Sequence, residues 1–258
     1  MTEPIKASDI QADGDALRPF SISVEGLEGT GKTSFGLMTC PTPLVHINLG
    51  DRDALIFAYQ MSKERAKDVE FYNFQPKSSE GWSRIEGAEA LREVSRIAQD
   101  KLSDGKLAGG TFILDSGSSF WEVVQEVYVA PEQEKREQGG GKKTGGLEYM
   151  QGNLIVNGVI SWIKSQGAFV VLTHRKRQDW DAKGPIPGKY SAQINRKVPY
   201  LVEVRLDLRK RCQVCEGEFC EAQGHIGRKH YGRLSKFAAN TGLEGQELEN
   251  PTFKQVYM

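Results

Sequence analysis

The sequence predicts an α/β fold with a mainly parallel central sheet flanked by helices, and three observations support this prediction. Residues 20–25 alternate apolar and polar side chains like a strand, and a glycine-rich turn and an apolar, helix-forming segment follow them directly. Short, continuously apolar runs recur further along, as in strands that are buried on both faces. Longer segments with helical periodicity separate these runs, which is the order expected of parallel strands joined by crossover helices.

Composition and charge limit the function classes only weakly. The 258 residues include 34 Lys and Arg against 34 Asp and Glu, so the whole chain has no net charge that would favour nucleic acid or membranes. No apolar run approaches the roughly 18 residues that a membrane span needs, and a cytoplasmic protein is predicted. Residues 1–19 are polar and are predicted to form a mobile arm. Residues 20–258 are predicted to form one domain.

The most specific motif is GLEGTGKT at residues 26–33. Two glycines separated by four residues, followed by Lys32 and Thr33, fit the pattern of a phosphate-binding loop between a strand and a helix. Backbone N–H groups of such a loop and the positive end of the following helix bind phosphate. Lys32 is expected to reach the β- and γ-phosphates of a nucleotide, and Thr33 Oγ1 to bind Mg²⁺. The predicted nucleotide-binding residues are Gly26, Glu28, Gly29, Thr30, Gly31, Lys32, Thr33 and Ser34.

Two later strands are predicted to bring acidic residues to the same edge of the sheet. Residues 44–48 form a strand that is followed by Asp51 and Asp53, and a carboxylate there could polarise an attacking water. The alternative is that these two acids cap the next helix or lie on the surface. After a strand at residues 69–74 and an amphipathic crossover helix at 80–102, the buried strand TFILD ends in Asp115, which is expected to orient Mg²⁺ through its water shell.

Two long polar segments follow. A helix from Ser116 to Val129, capped by Ser116 or Ser118, gives way to a predicted loop at residues 131–148 that contains five glycines. A helix at residues 149–165 and a strand at 168–172 then lead to His174.

The second polar segment, residues 174–198, has an excess of five positive charges and contains Trp180 and Tyr190. Cations interleaved with aromatic side chains suit single-stranded DNA, because phosphates bind the charges and bases stack on the rings. A solvated basic loop with its aromatics folded back on the core is the alternative. The predicted DNA-binding residues are Arg175, Lys176, Arg177, Trp180, Lys183 and Lys189.

The last part of the chain predicts a hairpin with a zinc-binding extension. Residues 201–208 alternate like a late strand, and residues 231–239 are predicted to pair with it. Between them, at about residues 210–230, a Cys-x-x-Cys pair is followed by one more cysteine and histidines at zinc-knuckle-like spacing. The predicted Zn²⁺ ligands are Cys212, Cys215, Cys220 and His225, with His230 as an alternative to His225.

Taken with the phosphate loop, the ILDS strand and the AFVVLTH strand, the chain resembles the RecA-like recombinase ATPases over residues 20–258. It resembles in particular the compact Sak-type ATPases of bacteriophages. The resemblance implies DNA-stimulated, Mg²⁺-dependent ATP hydrolysis, binding of single-stranded DNA, and strand annealing or exchange by a ring or filament of identical subunits. A single-strand DNA-binding protein is a further partner that it implies.

The same resemblance assigns roles to particular residues. The segments after Val129 and after His174 occupy the positions of the two DNA-binding loops, and His174 that of a residue sensing the γ-phosphate. Arg233 and Lys236 resemble the cations that such proteins insert into a neighbouring subunit's nucleotide site. The family pattern has Lys and Arg two residues apart, whereas here Arg precedes Lys by three. The family's catalytic Glu is replaced, with Asp51 or Asp53 as the nearest acid.

Two other classes of function stay open. The segment VEGLEGTGKTS is also similar to the phosphate loop of thymidylate kinases, where an acid at the position of Glu28 acts near the phosphate acceptor. That class of kinase generally lacks the late ILDS strand. The third class is a nucleotide-gated DNA-binding or loader module with little turnover.

Overall fold

The computed structural model describes residues 18–50, 56–103, 105–139, 149–181, 184–195, 197–215, 228–238 and 241–257. It is an α/β structure with a nine-stranded, mostly parallel mixed sheet flanked by helices, which confirms the predicted fold class at that level. The strands are β1 Ser21–Gly26, β2 Leu44–Leu49, β3 Val69–Phe74, β4 Thr111–Asp115, β5 Phe169–Asp181, β6 Gly184–Ala192, β7 Val204–Cys212, β8 Arg228–Phe237 and β9 Glu247–Glu249.

The sequence predicts the helices at residues 32–39, 84–102, 117–124 and 150–165, and the structure adds further ones, among them those at 130–138, 198–201 and 253–257. The helices are α1 Lys32–Thr39, α2 Ile56–Gln60, α3 Lys63–Ala66, α4 Arg84–Leu102, α5 Gly117–Val124, α6 Ala130–Gln138, α7 Met150–Ser165, α8 Val198–Leu201 and α9 Phe253–Tyr257. A π-helical turn, Gln125–Val129, joins α5 to α6. Ser83 begins α4 through a capping box with Glu86, and Ser116 caps α5 by accepting a hydrogen bond from the Ser119 backbone N–H. No helix in the described ranges is long and apolar enough to cross a membrane.

The strand order is β3-β2-β4-β5-β1-β7-β8-β9, with β6 paired to β5. Strands β1, β2, β3, β4, β5 and β7 are parallel, whereas the β7–β8, β8–β9 and β5–β6 pairs are antiparallel. Because parallel strands end at the same edge, the carboxyl ends of β1, β4 and β5 lie together. The loop after β1 and Asp115, the last residue of β4, are therefore neighbours, although β5 lies between the two strands.

Apolar side chains cover both faces of the sheet, which explains why its inner strands are continuously buried. One core contains Ile22 and Val24 of β1 and packs them against Phe35 of α1 and Phe253 of α9. The other lies under α4, α5 and α7. Every residue of β1, β2 and β4 is buried.

The predictions of irregular structure for the two polar segments are wrong in part. Residues 130–138 continue the preceding π-helical turn as α6, with Pro131 in the first turn of α6. Residues 140–148 lie outside the described ranges.

The second polar segment is an antiparallel hairpin of β5 and β6 instead of a loop. Its prolines, Pro185 and Pro187, lie on an outer strand, where no further ladder needs their N–H groups. Outside the described ranges are also residues 1–17, which include most of the predicted arm, and residues 216–227 of the predicted zinc extension.

Candidate active site at the phosphate loop

The loop after β1 has the geometry of a phosphate cradle. It runs from Gly26 at the end of β1 to Lys32 at the start of α1, and Gly31 adopts a φ of 92°, which disfavours any side chain. A side chain at position 26 would lie 2.7 Å from the backbone oxygen of Leu208, so only glycine fits beside β7. The predicted strand–loop–helix order is therefore realised in three dimensions.

Lys32 lies across its own loop. Its Nζ donates hydrogen bonds to the backbone oxygens of Gly26, at 3.1 Å, and Leu27, at 2.7 Å. This places a positive charge at the mouth of the loop, beside the helix N-terminus that also favours anions. A phosphate in the cradle would offer Lys32 a charged acceptor in place of these neutral carbonyls.

Thr33 and Asp115 meet below the loop. Thr33 Oγ1 donates a 2.7 Å hydrogen bond to Asp115 Oδ2, although 82 residues separate them, and Thr173 donates to the other carboxylate oxygen. His46 Nε2 lies 3.1 Å from Oδ2 and, because a carboxylate can only accept, carries the proton. Burial alone would raise the pKa of Asp115, but the hydrogen bonds from His46, Thr173 and Thr33 outweigh it and lower the pKa. Asp115 is therefore an anion at neutral pH.

These oxygens suit Mg²⁺. A hydroxyl and an ionised carboxylate are hard oxygen donors, and Mg²⁺ in nucleotide sites is held by one or two such groups together with phosphates and water. Thr33 and Asp115 are the two side chains in which the sequence predicts this role, and the structure brings them together. No described group combines three or more His, Cys, Asp or Glu side chains as a separate metal cluster.

A cleft of about 470 Å³ opens above this group, within the size range of small-molecule sites. Its floor is Gly29, Gly31, Lys32 and Thr33, one wall is Asp115 with Ser116 and Ser119, and the base of the β5–β6 hairpin forms the other wall. The hairpin residues in the wall are Arg175, Lys176, Arg177 and Gln193. Phosphates in the cleft would thus meet cations from both the loop and the hairpin.

A smaller pocket of about 240 Å³ continues from the loop along the first turns of α1. It is lined mostly by apolar surface, including Met38 and Pro251, with Ser34, His230 and Asn250 as polar groups. His230 Nδ1 lies 2.9 Å from the Thr30 carbonyl oxygen, which can only accept a hydrogen bond. Through this contact the imidazole fixes the orientation of the loop peptide at Thr30.

His174 lies beneath the site instead of in the cleft wall. It is buried, and a side chain at position 117 would lie 2.5 Å from its ring. Burial, with smaller contributions from the charges of Arg205 and Lys32, lowers the pKa of His174 to about 3. Neither ring nitrogen has a partner of ordinary hydrogen-bond geometry within the described residues, the backbone of Gln193 being the nearest polar group. His174 is neutral at pH 7.

The predicted DNA-binding residues differ in their surroundings. Arg175 binds Ser119 on α5 at 2.8 Å, and Lys176 Nζ binds Asp207 on β7 at 2.5 Å. Lys189 lies on the hairpin 3.9 Å from Asp179, and Trp180 is 71% exposed. Arg177 is exposed and Lys183 lies outside the described residues.

The residues predicted to act in a neighbouring subunit lie on β8. Arg233 is exposed, opposite Asp207 and Glu247 in the strand pairing. Lys236 Nζ donates to the backbone oxygens of Pro199 and Val202 at 3.0 and 2.5 Å. In this structure Lys236 therefore stabilises its own chain, next to α8.

Part of the predicted zinc extension is described. Cys212 is buried at the end of β7, its Sγ accepts a 3.4 Å hydrogen bond from the Val214 N–H, and Cys215 is exposed at the end of the same turn. A turn that directs an N–H toward a sulfur suits a thiolate, because the sulfur is the acceptor. Cys220 and His225 lie outside the described residues, as does Asp51.

Several polar residues at the site were not identified from sequence. The strand LVHINL contains a histidine among apolar residues, and that histidine, His46, binds Asp115. Glu25, next to the loop, is 3% exposed and accepts two hydrogen bonds from Arg205 at 2.8 and 3.0 Å. A buried polar residue inside an apolar strand is a signal that could have indicated His46, because such a group needs a partner. Glu25 follows the apolar–polar alternation of its strand and gives no such signal.

Comparisons with known proteins assign no family to this arrangement. No protein-family profile matches the chain. No functionally curated protein matches it either.

Proposed function

We propose that the protein is a Mg²⁺-dependent ATPase with a RecA-like core that binds single-stranded DNA and promotes strand annealing or exchange. The observation that carries the ATPase part is the meeting of Lys32, Thr33 and Asp115 in one cleft. A phosphate cradle, a hydroxyl and an ionised carboxylate are together what a nucleotide–metal complex requires.

In this proposal the loop binds the β- and γ-phosphates, and the pocket beside Met38 and Pro251 takes the base. Mg²⁺, when bound at Thr33 and Asp115, would neutralise charge that develops on the phosphates. His46 and Thr173 hold the Asp115 carboxylate in its orientation. The charged side chains of Arg175 and Arg177 at the hairpin base supply positive charge on the opposite wall.

The DNA part of the proposal rests on the β5–β6 hairpin. The hairpin extends from the nucleotide cleft and carries Lys189 and the exposed Trp180, and along β6 no residue is fully buried. Cations and an exposed ring along one projecting element suit a flexible strand. We further propose that the protein acts as a homo-oligomer, as a ring or a filament, and cooperates with a single-strand DNA-binding protein.

Steady-state ATP hydrolysis with and without single-stranded DNA tests the proposal. We expect DNA-stimulated turnover that Lys32→Ala abolishes, because backbone N–H groups cannot replace its charge. Asp115→Asn should keep nucleotide binding and lose hydrolysis, since the amide has the same shape without the charge. Lys254→Ala, an exposed lysine on α9, is the matched control and should behave like the parent.

The same assay separates the other two classes of function. Phosphate transfer from ATP to dTMP would replace the proposal with a kinase in which Glu28 acts near the acceptor. Nucleotide-dependent DNA binding without turnover would indicate a gated module or loader.

We also propose one structural Zn²⁺ held by Cys212, Cys215, Cys220 and His225 or His230. The support is the Cys-x-x-Cys turn with its N–H to sulfur hydrogen bond. Protein purified without chelator should contain about one Zn²⁺ per chain, and Cys215→Ser should lose it. Fully folded protein without metal would contradict this.

A further inference from the structure

A second polar cavity, of about 300 Å³, lies next to the nucleotide cleft. Its walls come from the phosphate loop, from Gly188 and Tyr190 of β6, and from the carboxyl-terminal half of β7. We call it the loop–hairpin pocket. Glu28 and Lys176 line both this pocket and the nucleotide cleft, so the two spaces share these side chains as a boundary.

The charges around the loop–hairpin pocket favour an anion. Lys176, Arg209 and Lys210 outnumber Glu28 and Asp207, three against two. Asp207 is only 8% exposed and already binds two of the cations, Lys176 at 2.5 Å and Arg209 at 3.1 Å. Within the described ranges no acidic side chain forms an ion pair with Lys210. Among the described residues, Lys210 is therefore the cation of the pocket without an acidic partner.

Lys210 lies where that charge can act on the loop. Its Nζ is 3.9 Å from the position that a side chain at Gly29 would occupy. Its strand partner in the β7–β8 pair is His230, whose Nδ1 contacts the loop at Thr30. The ends of β7 and β8 thus place an ammonium and an imidazole directly against the phosphate loop.

The wall from β6 adds an aromatic ring. Tyr190 is half-buried at the pocket, two residues after Gly188, which has no side chain to fill the space. A lysine with no acidic partner among the described residues, an arginine and a tyrosine ring surround this space, and together they are complementary to one nucleoside phosphate. The cations bind the phosphate and the ring stacks on the base.

We propose that the loop–hairpin pocket binds one nucleoside phosphate unit of single-stranded DNA. Lys210 and Arg209 bind its phosphate, and its base lies against Tyr190. That the nucleoside phosphate belongs to a DNA strand rests on the proposed function. The preference of the pocket for a nucleoside phosphate does not. Through Glu28 and Lys176, a strand held there would lie against the same loop that holds ATP.

The first test measures binding of a 20-nucleotide oligo(dT) at several salt concentrations, with the cleft filled by a slowly hydrolysed ATP analogue and Mg²⁺. Lys210→Ala should reduce the salt slope by about 0.7, the contribution of one phosphate in a single strand. Tyr190→Ala should weaken binding roughly 5- to 150-fold if a base stacks on it. Lys254→Ala should leave both quantities at the parent value. If Lys210→Ala leaves the salt slope unchanged and Tyr190→Ala leaves the affinity for oligo(dT) unchanged, the pocket does not bind DNA.

The second test separates the pocket from the DNA function. Thymidine 3′,5′-bisphosphate is titrated by calorimetry into protein whose cleft holds the same ATP analogue. One binding event that Lys210→Ala and the milder Lys210→Gln both lose supports the pocket. If the parent shows this event but binds no oligo(dT), the ligand is a free nucleotide and the proposed DNA function fails. No binding event in the parent would overturn the pocket. Phosphate transfer to dTMP in the separate steady-state assay with ATP would make it a kinase acceptor site.

Discussion

His174 is a buried base whose neutral form the folded chain favours. Its side chain is 1% exposed, and the positive charges of Arg205 and Lys32 lower its pKa further. Its pKa of about 3 lies below the usual value of 6.5, so the unfolded chain takes up a proton before the folded chain does. The neutral ring therefore favours folding above pH 6.5, and this contribution is lost as the pH falls toward 3.

His174→Gln should remove this pH dependence, because Gln has hydrogen-bonding groups but no titration in this range. Below about pH 6 the free energy of unfolding of the parent should fall relative to the variant by up to about 1.4 kcal/mol per pH unit. Urea unfolding of both proteins at pH 7, 6 and 5 measures the difference. Parallel curves would mean that His174 titrates normally in the folded protein.

Short patterns in the sequence were sufficient to predict the residues at the centre of the site. Lys32 and Thr33 follow from one motif, and Asp115 follows from its place at the end of a buried strand. His46 could not be predicted in the same way, because its contact with Asp115 depends on the β2–β4 pairing of residues 69 apart. A single sequence does not show which strands are neighbours.

The β5–β6 hairpin illustrates the same limit at the scale of an element. Its charges and aromatics were visible in the sequence, but a strand is recognised by alternation, and alternation arises where one face is buried. Along β6 the half-buried residues 184, 186, 190 and 192 alternate with exposed ones, but none of them is fully buried, so the apolar–polar contrast in GPIPGKYSA is weak. The β5–β6 pairing also shifts register between Gln178 and Trp180. The segment was therefore predicted as a loop.

Trp180 provides the sharpest test of the hairpin's role. Its ring is 71% exposed, so replacing it removes little packing. Trp180→Ala should weaken binding of single-stranded DNA by about 1–3 kcal/mol if a base stacks on the indole. Fluorescence anisotropy with labelled oligo(dT) measures the loss.

Tyr200→Ala is the matched control, because Tyr200 is 83% exposed and lies outside the hairpin, on α8. It should bind DNA like the parent. Equal losses in both variants would indicate a general effect of exposed aromatic residues, and no loss in Trp180→Ala would remove the indole from the DNA surface.

At the scale of the whole molecule, the order of the strands determines which residues lie beside the phosphate loop. Strand β1 lies between β5, which continues into the hairpin, and β7, which carries Asp207 and Lys210. The loop after β1 is therefore flanked on both sides by polar residues of neighbouring strands. The sequence predicted most of the strands and the parallel class, but β6, β9 and the positions of β5 and β7 beside β1 come only from the structure.

The phosphate loop joins β1 to α1, and both elements pack into the same core around Ile22, Val24 and Phe35. A ligand that binds this loop therefore binds the folded protein and not the unfolded chain, and it should stabilise the whole domain. At a concentration 100 times its dissociation constant, MgATP should add about 2.7 kcal/mol to the free energy of unfolding. For a domain of this size that corresponds to a rise in Tm of roughly 5–11 °C.

Differential scanning calorimetry of the parent and of Lys32→Ala, each with and without MgATP, measures this rise. Lys32→Ala should show little or none of it, because the phosphates lose the ammonium that lies across the loop. Lys254→Ala, whose side chain is exposed on α9, should show the full rise. A rise of equal size in Lys32→Ala would mean that the nucleotide stabilises the domain from a site other than the loop after β1.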